Sequence, residues 1–372
     1  MAEERSSAGK RSTTRRRVLA GVGAAAAVGL AGCTGLGGES PGGNASDGAD
    51  DGSNGTNGTN DAGDGDGGGS GADSLTVFHA GSLAPPFSAA EPKFEEKYGV
   101  QVNREAKGSV GSTKKITEQG RKADVLGVSD FRLIRDMMLP KFADWYAVFA
   151  TNSMTIAYTD DSVGADEVSS ENWWEVLLRD DVRFAHSDPA VDPNGYRSVM
   201  AMQLGAIPFQ GETLYDEATS KELIEKAAIP AGTETELIGQ LEAGKLDYAW
   251  EYTSVEATHD LNTVDLQPSV DLSKATATYA DHYAKATVEA GGTTYTGAPI
   301  AYGITVPSVA QAPDLGAKWV EYMVTEPGQE ILRNSGFDPT SPAVVPKSAE
   351  SNVPERVMSH AEAKESLGPL EL

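Results

Sequence analysis

Beyond residue 73 the apolar positions fall into short runs separated by amphipathic stretches. Ser74-Leu75-Thr76-Val77-Phe78-His79-Ala80 predicts a buried strand, closed by the turn pair Gly81-Ser82. Phe87, Ala90, Phe94 and Tyr98 then recur at intervals of three and four. That spacing predicts a helix, with prolines confined to its first turn, where a missing N–H costs nothing. Val100-Gln101-Val102-Asn103 predicts a second strand leading to Gly108-Ser109. A helix over residues 113–121 and a third strand over residues 123–128 follow. Strand–turn–helix alternation of this kind predicts an α/β chain with doubly wound sheets, its ligands at the carboxyl ends of the strands.

Two further apolar, β-rich runs, residues 147–158 and 299–307, lie where the helical periodicity lapses. They are read as a pair of strands crossing between two lobes. Lobe one is then residues 74–155 with 301–372, and lobe two is residues 156–300. The end of the chain reads as a helix over residues 314–325, a second short helix opened by Glu326-Pro327-Gly328, and a Pro-rich tail.

The first 73 residues follow other rules. Thr14-Arg15-Arg16-Arg17-Val18-Leu19 is a twin-arginine pattern, and an Ala/Gly-rich apolar run leads from it to Leu30-Ala31-Gly32-Cys33. A basic segment, an apolar run of ~7–15 residues and a small-residue cleavage site make a secretory signal. The run is shorter than the ~20 apolar residues of a membrane span. Residues 1–32 are thus expected to be removed, leaving Cys33, the only cysteine, as a lipidated first residue. Disulfides and cysteine metal ligands are then excluded. A twin-arginine signal implies export of an already folded protein. Residues 34–73 are Gly, Asp, Asn, Ser and Thr with almost nothing apolar, so no core offsets the entropy of ordering them. This segment reads as an acidic, extended tether carrying three N-glycosylation sequons, at Asn44, Asn54 and Asn57.

The whole chain has 30 Lys and Arg against 55 Asp and Glu, a net charge of −25. Loss of residues 1–32 removes six bases and two acids, so the mature chain carries −29. Such a surface argues against nucleic acid or anionic lipid as a partner and matches the acidity of halophilic proteins.

No Gly-x-Ser-x-Gly elbow, Walker loop or His-Glu-x-x-His is present, and the five histidines have no metal-ligand spacing. Nothing proposes a nucleophile with its base, so the chain reads as a non-enzyme. Its distinctive feature is small hydroxyl residues at strand-to-helix turns: Gly81-Ser82, and Gly108-Ser109 with Ser112. Such a serine can cap its helix or donate to an anion drawn by the helix N-terminus. Two such turns on one sheet edge favour the anion.

Four segments are more specific. Phe78-His79-Ala80-Gly81-Ser82-Leu83, Gly120-Arg121-Lys122-Ala123-Asp124-Val125, Asp192-Pro193-Asn194-Gly195-Tyr196-Arg197-Ser198, and Glu234-Thr235-Glu236-Leu237-Ile238 running to Gly244-Lys245-Leu246-Asp247-Tyr248 resemble the archaeal tungstate/molybdate-binding proteins. The likeness runs in order over residues 74–345. It implies a two-lobed periplasmic-binding fold and a monomer that delivers its oxyanion to the membrane permease of an ABC importer. It also implies that the oxyanion is bound by Gly81, Ser82, Ser109, Asp192, Pro193, Asn194 and Tyr252, and that Asp192 and Glu234 reach the metal centre itself. Carboxylates repel an anion, so the pair makes sense only as ligands that expand a d⁰ centre from four oxygens towards six-coordination. Sulfur and phosphorus do not expand in this way, so the same pair would reject sulfate and phosphate. Asn194 departs from relatives with cysteine at that position, a change that a backbone donor would tolerate. Without the resemblance, Asp192 reads as a turn residue before proline and Glu234 as a helix-start carboxylate. A receptor for another oxyanion, sulfate or phosphate, remains the alternative.

Overall fold

The computed structural model describes residues 73–372. The signal sequence, Cys33, the three sequons and almost all of the tether lie outside the described residues. The first part of the chain alternates β1 (Ser74–His79), α1 (Ala84–Tyr98), β2 (Gln101–Ala106), α2 (Ser109–Thr117), β3 (Val125–Val128), α3 (Arg132–Met137) and β4 (Ala147–Thr151). A second group follows: β5 (Met154–Tyr158), α4 (Trp173–Leu177), β6 (Phe184–Ala185), α5 (Pro193–Leu204), α6 (Glu217–Lys226), α7 (Glu234–Glu242), β7 (Tyr248–Tyr252) and β8 (Asn262–Thr263). After the hairpin of β9 (Thr287–Ala290) and β10 (Thr293–Thr296) come β11 (Ala301–Thr305), β12 (Asp338–Pro346) and β13 (Ala361–Lys364).

Apart from the β9–β10 hairpin, these strands build two mixed sheets. The seven-stranded sheet runs β13-β12-β4-β11-β3-β1-β2, and the four-stranded sheet β6-β7-β5-β8. β1, β2 and β3 are parallel, while β11 is antiparallel to both β3 and β4. Both faces of the larger sheet are covered, which is why β1 reads as a nearly unbroken apolar run. Leu75 and Val77 pack in one cluster with Phe87 and Phe94 of α1, and Phe78 packs in another with Ile116 and Leu126. Phe87 meets the edge of Trp319 with ring centroids 5.4 Å apart. Burying each such ring contributes about 1.5–3 kcal/mol.

The predicted run 147–158 is two strands in two sheets, broken at Asn152-Ser153. Buried Asn152 fixes that break: its Oδ1 accepts the Ser153 N–H at 2.9 Å and the Thr253 hydroxyl at 2.8 Å, and its Nδ2 donates to Ser254 at 3.0 Å. The later run supplies β11, which returns the chain to the larger sheet.

Three local readings need correction. Pro92 sits inside α1, not only the first-turn prolines. The helix continues because Pro92 and Ser88, whose carbonyl loses its partner, are both exposed to water. The second helix starts at Ser109 rather than at residue 113, since Gly111 belongs to its first turn and sends its N–H outward to the Val191 carbonyl at 3.2 Å. The Pro-rich tail contains β12, which pairs with β4 through an irregularity between Pro339 and Val344.

Candidate functional site

The strand ends bring the predicted residues together. Gly81 and Ser82 follow β1, Ser109 follows β2, and Tyr252 ends β7. Asp192 caps α5, and Glu234 opens α7. His79, last in β1, is buried, and burial pushes its ring down to about 4. The neutral ring donates from Nδ1 to the Ala80 carbonyl at 2.7 Å, bracing the turn that carries Gly81 and Ser82.

Contacts then link the elements pairwise. The Ser82 N–H donates to Glu234 Oε1 at 2.6 Å, and the Glu234 N–H donates to Asp192 Oδ2 at 3.1 Å. Asp192 Oδ1 accepts the Asn194 N–H at 3.2 Å, the N-cap bond of α5. Pro193 takes the first position of that helix, where its missing N–H is harmless. Two glycines allow these approaches. A methyl on Gly81 would lie 2.9 Å from Glu234 Oε1, and one on Gly108 2.3 Å from the Val191 carbonyl oxygen. The first turns of α2, α5 and α7 therefore meet, and the partial positive charge of a helix N-terminus favours an anion.

Neither serine caps its helix. Ser82 Oγ lies 3.0 Å from the Tyr302 hydroxyl, and Ser109 Oγ accepts the Ser129 N–H at 3.0 Å. Ser112 Oγ, Asn194 Nδ2 and Glu234 Oε2 are buried with no protein partner among the described residues. Buried polar groups without partners are rare and costly, so two donors and a carboxylate oxygen in this state point to a polar guest.

Carboxylates crowd the same place. Asp192 and Glu234 are 1% and 2% exposed. Burial, then the neighbouring Asp192 carboxylate, holds Glu234 well above the ordinary carboxylate range. Even so, no three His, Cys, Asp or Glu side chains among the described residues converge as a metal-ion site. The arrangement is a pair of carboxylates among neutral donors.

Sequence reasoning missed Ser129, Tyr302, Arg197 and Glu251. Ser129 and Tyr302 carried no signal in their apolar surroundings. Glu251 did, as the lone charge in the fully buried strand Tyr248-Ala249-Trp250-Glu251-Tyr252. Burial and Asp192 hold Glu251 well above the ordinary range. The folded protein therefore keeps a proton that the unfolded chain releases near pH 4.5, and stability falls as pH rises through the folded value. Glu251→Gln removes that dependence. Without oxyanion, its melting temperature should gain on the parent's as pH rises from the unfolded-chain value towards the raised folded value. A margin independent of pH would show that Glu251 is ionised in the native state.

The family description "Bacterial extracellular solute-binding protein" matches residues 75–338. An uncharacterized solute-binding protein of Methanoculleus marisnigri is 43% identical over 315 residues, covering 78% of this chain and 87% of its own. The molybdate/tungstate-binding protein WtpA of Pyrococcus abyssi is 38% identical over 317 residues, covering 78% of this chain and 90% of its own. Among solved structures, the sulfate-binding protein SubI of Mycobacterium tuberculosis aligns with a TM-score of 0.52 at 16% identity, covering 76% of this chain and 92% of its own. That last likeness concerns the fold alone, the two-lobed α/β fold of periplasmic binding proteins.

Proposed function

Because the chain belongs to the bacterial extracellular solute-binding proteins, which carry solutes and catalyse nothing, we propose that it captures tungstate or molybdate outside the cell and delivers it to an ABC importer. The observation that carries this reading is the buried pair Asp192 and Glu234, joined by a 3.1 Å hydrogen bond and set among hydroxyl and amide donors. A sulfate site gains nothing from two buried carboxylates, since sulfate is fully ionised at neutral pH and offers them no proton. A d⁰ metal centre gains two hard oxygen ligands.

In this reading Gly81, Ser82, Ser109, Asn194 and Tyr252 hold the four oxygens, with Pro193 setting the turn, and Asp192 and Glu234 bond to the metal. Residues 74–155 with 301–372 form one lobe and residues 156–300 the other, so ligands come from both. The identity of the relative from Pyrococcus supports the same assignment. Calorimetric titration with tungstate, molybdate, sulfate and phosphate tests it. Heat from the first two alone is expected; binding of sulfate or phosphate in their place would transfer the site to the alternative.

Cys33 is proposed as the lipid anchor and residues 34–73 as the tether that holds the receptor at the membrane. Cys33→Ser should release the protein into the medium with unchanged oxyanion affinity, as fractionation and titration would show. Retention of the variant at the membrane would remove the anchor from the account.

A further inference from the structure

Arg197 stands outside the groups assigned to the oxyanion, yet it is 2% exposed, the least exposed cationic side chain among the described residues. It lies in the second turn of α5, directly after Tyr196. Its Nη1 donates to the Tyr252 hydroxyl oxygen at 2.9 Å. Its Nη2 lies 3.4 Å from Asp130 Oδ2, and Tyr196 donates to that same oxygen at 2.8 Å. Arg132 holds the other side of Asp130, with Nε and Nη2 at 2.9 and 2.6 Å from its two oxygens. The guanidinium is thus spread between a phenol and a carboxylate that it shares with Arg132.

A guanidinium has donors and no acceptor. The Tyr252 oxygen must therefore accept in this contact, and its own O–H must point elsewhere. Among the described residues the Tyr252 hydroxyl makes no other hydrogen bond, although Tyr252 is 1% exposed. A free phenol can turn to donate or to accept, but an oxyanion needs a donor. We propose that Arg197 is a positioning residue of the oxyanion site: it fixes the Tyr252 hydroxyl with its proton turned to the guest, without binding the guest itself. The inference rests on the oxyanion reading above. Lysine is a poor substitute, since a single ammonium lacks the planar fork that reaches Tyr252 and Asp130 together.

The test is a double-mutant cycle read as tungstate affinity. Arg197→Met removes the donors and leaves Asp130 still paired with Arg132. Tyr252→Phe and Arg197→Met should each weaken binding about 10-fold, the scale of one hydrogen bond to a charged group. The double variant should be no weaker than Tyr252→Phe alone, because Arg197 acts through the hydroxyl that is already gone. Losses that add would overturn the inference while leaving the oxyanion reading intact; a parent protein that binds neither tungstate nor molybdate would end both. Should Arg197→Met fail to fold, 3-fluorotyrosine at position 252 decides, because fluorine strengthens the phenol as a donor and weakens it as an acceptor. Tighter tungstate binding supports the donor role, and weaker binding overturns it.

Discussion

Asp192→Ala and Glu234→Ala should each weaken tungstate binding by about 10-fold or more, at least ~1.4 kcal/mol. The sign matters more than the size. An ionised carboxylate that merely borders an anion repels it, and its removal would tighten binding. Carboxylates that bond to the metal are lost as ligands, and their removal weakens it. Asp192 also caps α5 and accepts the Glu234 N–H, so Asp192→Ala carries a cost to stability of about 1 kcal/mol from the cap alone. Asp192→Asn keeps an acceptor oxygen at that cap and separates the two effects. Glu234→Ala leaves the Ser82 N–H without its acceptor but does not touch a cap. Titration of the three variants with tungstate, beside their melting curves without it, settles the sign.

Gly108→Ala should be nearly as damaging, although Gly108 offers the oxyanion no side chain. An added methyl would stand 2.3 Å from the Val191 carbonyl oxygen, and backbone cannot swing aside. The φ of Gly108 is −53°, which alanine accepts, so the clash arises only from the approach of the segments before α2 and α5. Overpacking of this kind costs about 1–3 kcal/mol. If the two lobes close over the guest, that cost falls on the closed form alone and weakens binding about 10-fold or more. The variant without oxyanion should fold normally. Scattering should show the parent contracting on tungstate binding and the variant contracting less. Parent-like affinity in Gly108→Ala would mean that this contact is not part of the bound state.

Much of this was legible before the structure, and the reasons are local. Leu75, Val77, Phe87 and Phe94 announce β1 and α1 because burial on both sides of a sheet leaves continuous apolar runs and helices keep a strict period. The motif from Asp192 to Ser198 was visible because a cap, a first-turn proline and a close-approach glycine leave a fixed order of residues. Pro92 misled because tolerance of a proline inside a helix depends on which carbonyl it orphans, and exposure is not written in the local sequence. Ser109 was legible as a turn residue, but whether its hydroxyl caps α2 or meets Ser129 depends on where β3 ends, 20 residues on. Arg197 lay within a quoted motif without a function, since its two partners, Asp130 and Tyr252, are 67 and 55 positions away. Long-range pairing of this kind leaves no periodic trace.

The central claim is that two carboxylates bond to the metal of the captured oxyanion, and X-ray absorption at the tungsten or molybdenum edge of the loaded protein measures this directly. A six-coordinate centre is expected, with the oxo groups at short distance and two longer oxygen neighbours that disappear one at a time in Glu234→Ala and Asp192→Ala. A tetrahedral centre with four equivalent oxygens, bound tightly and unchanged in those variants, would contradict it.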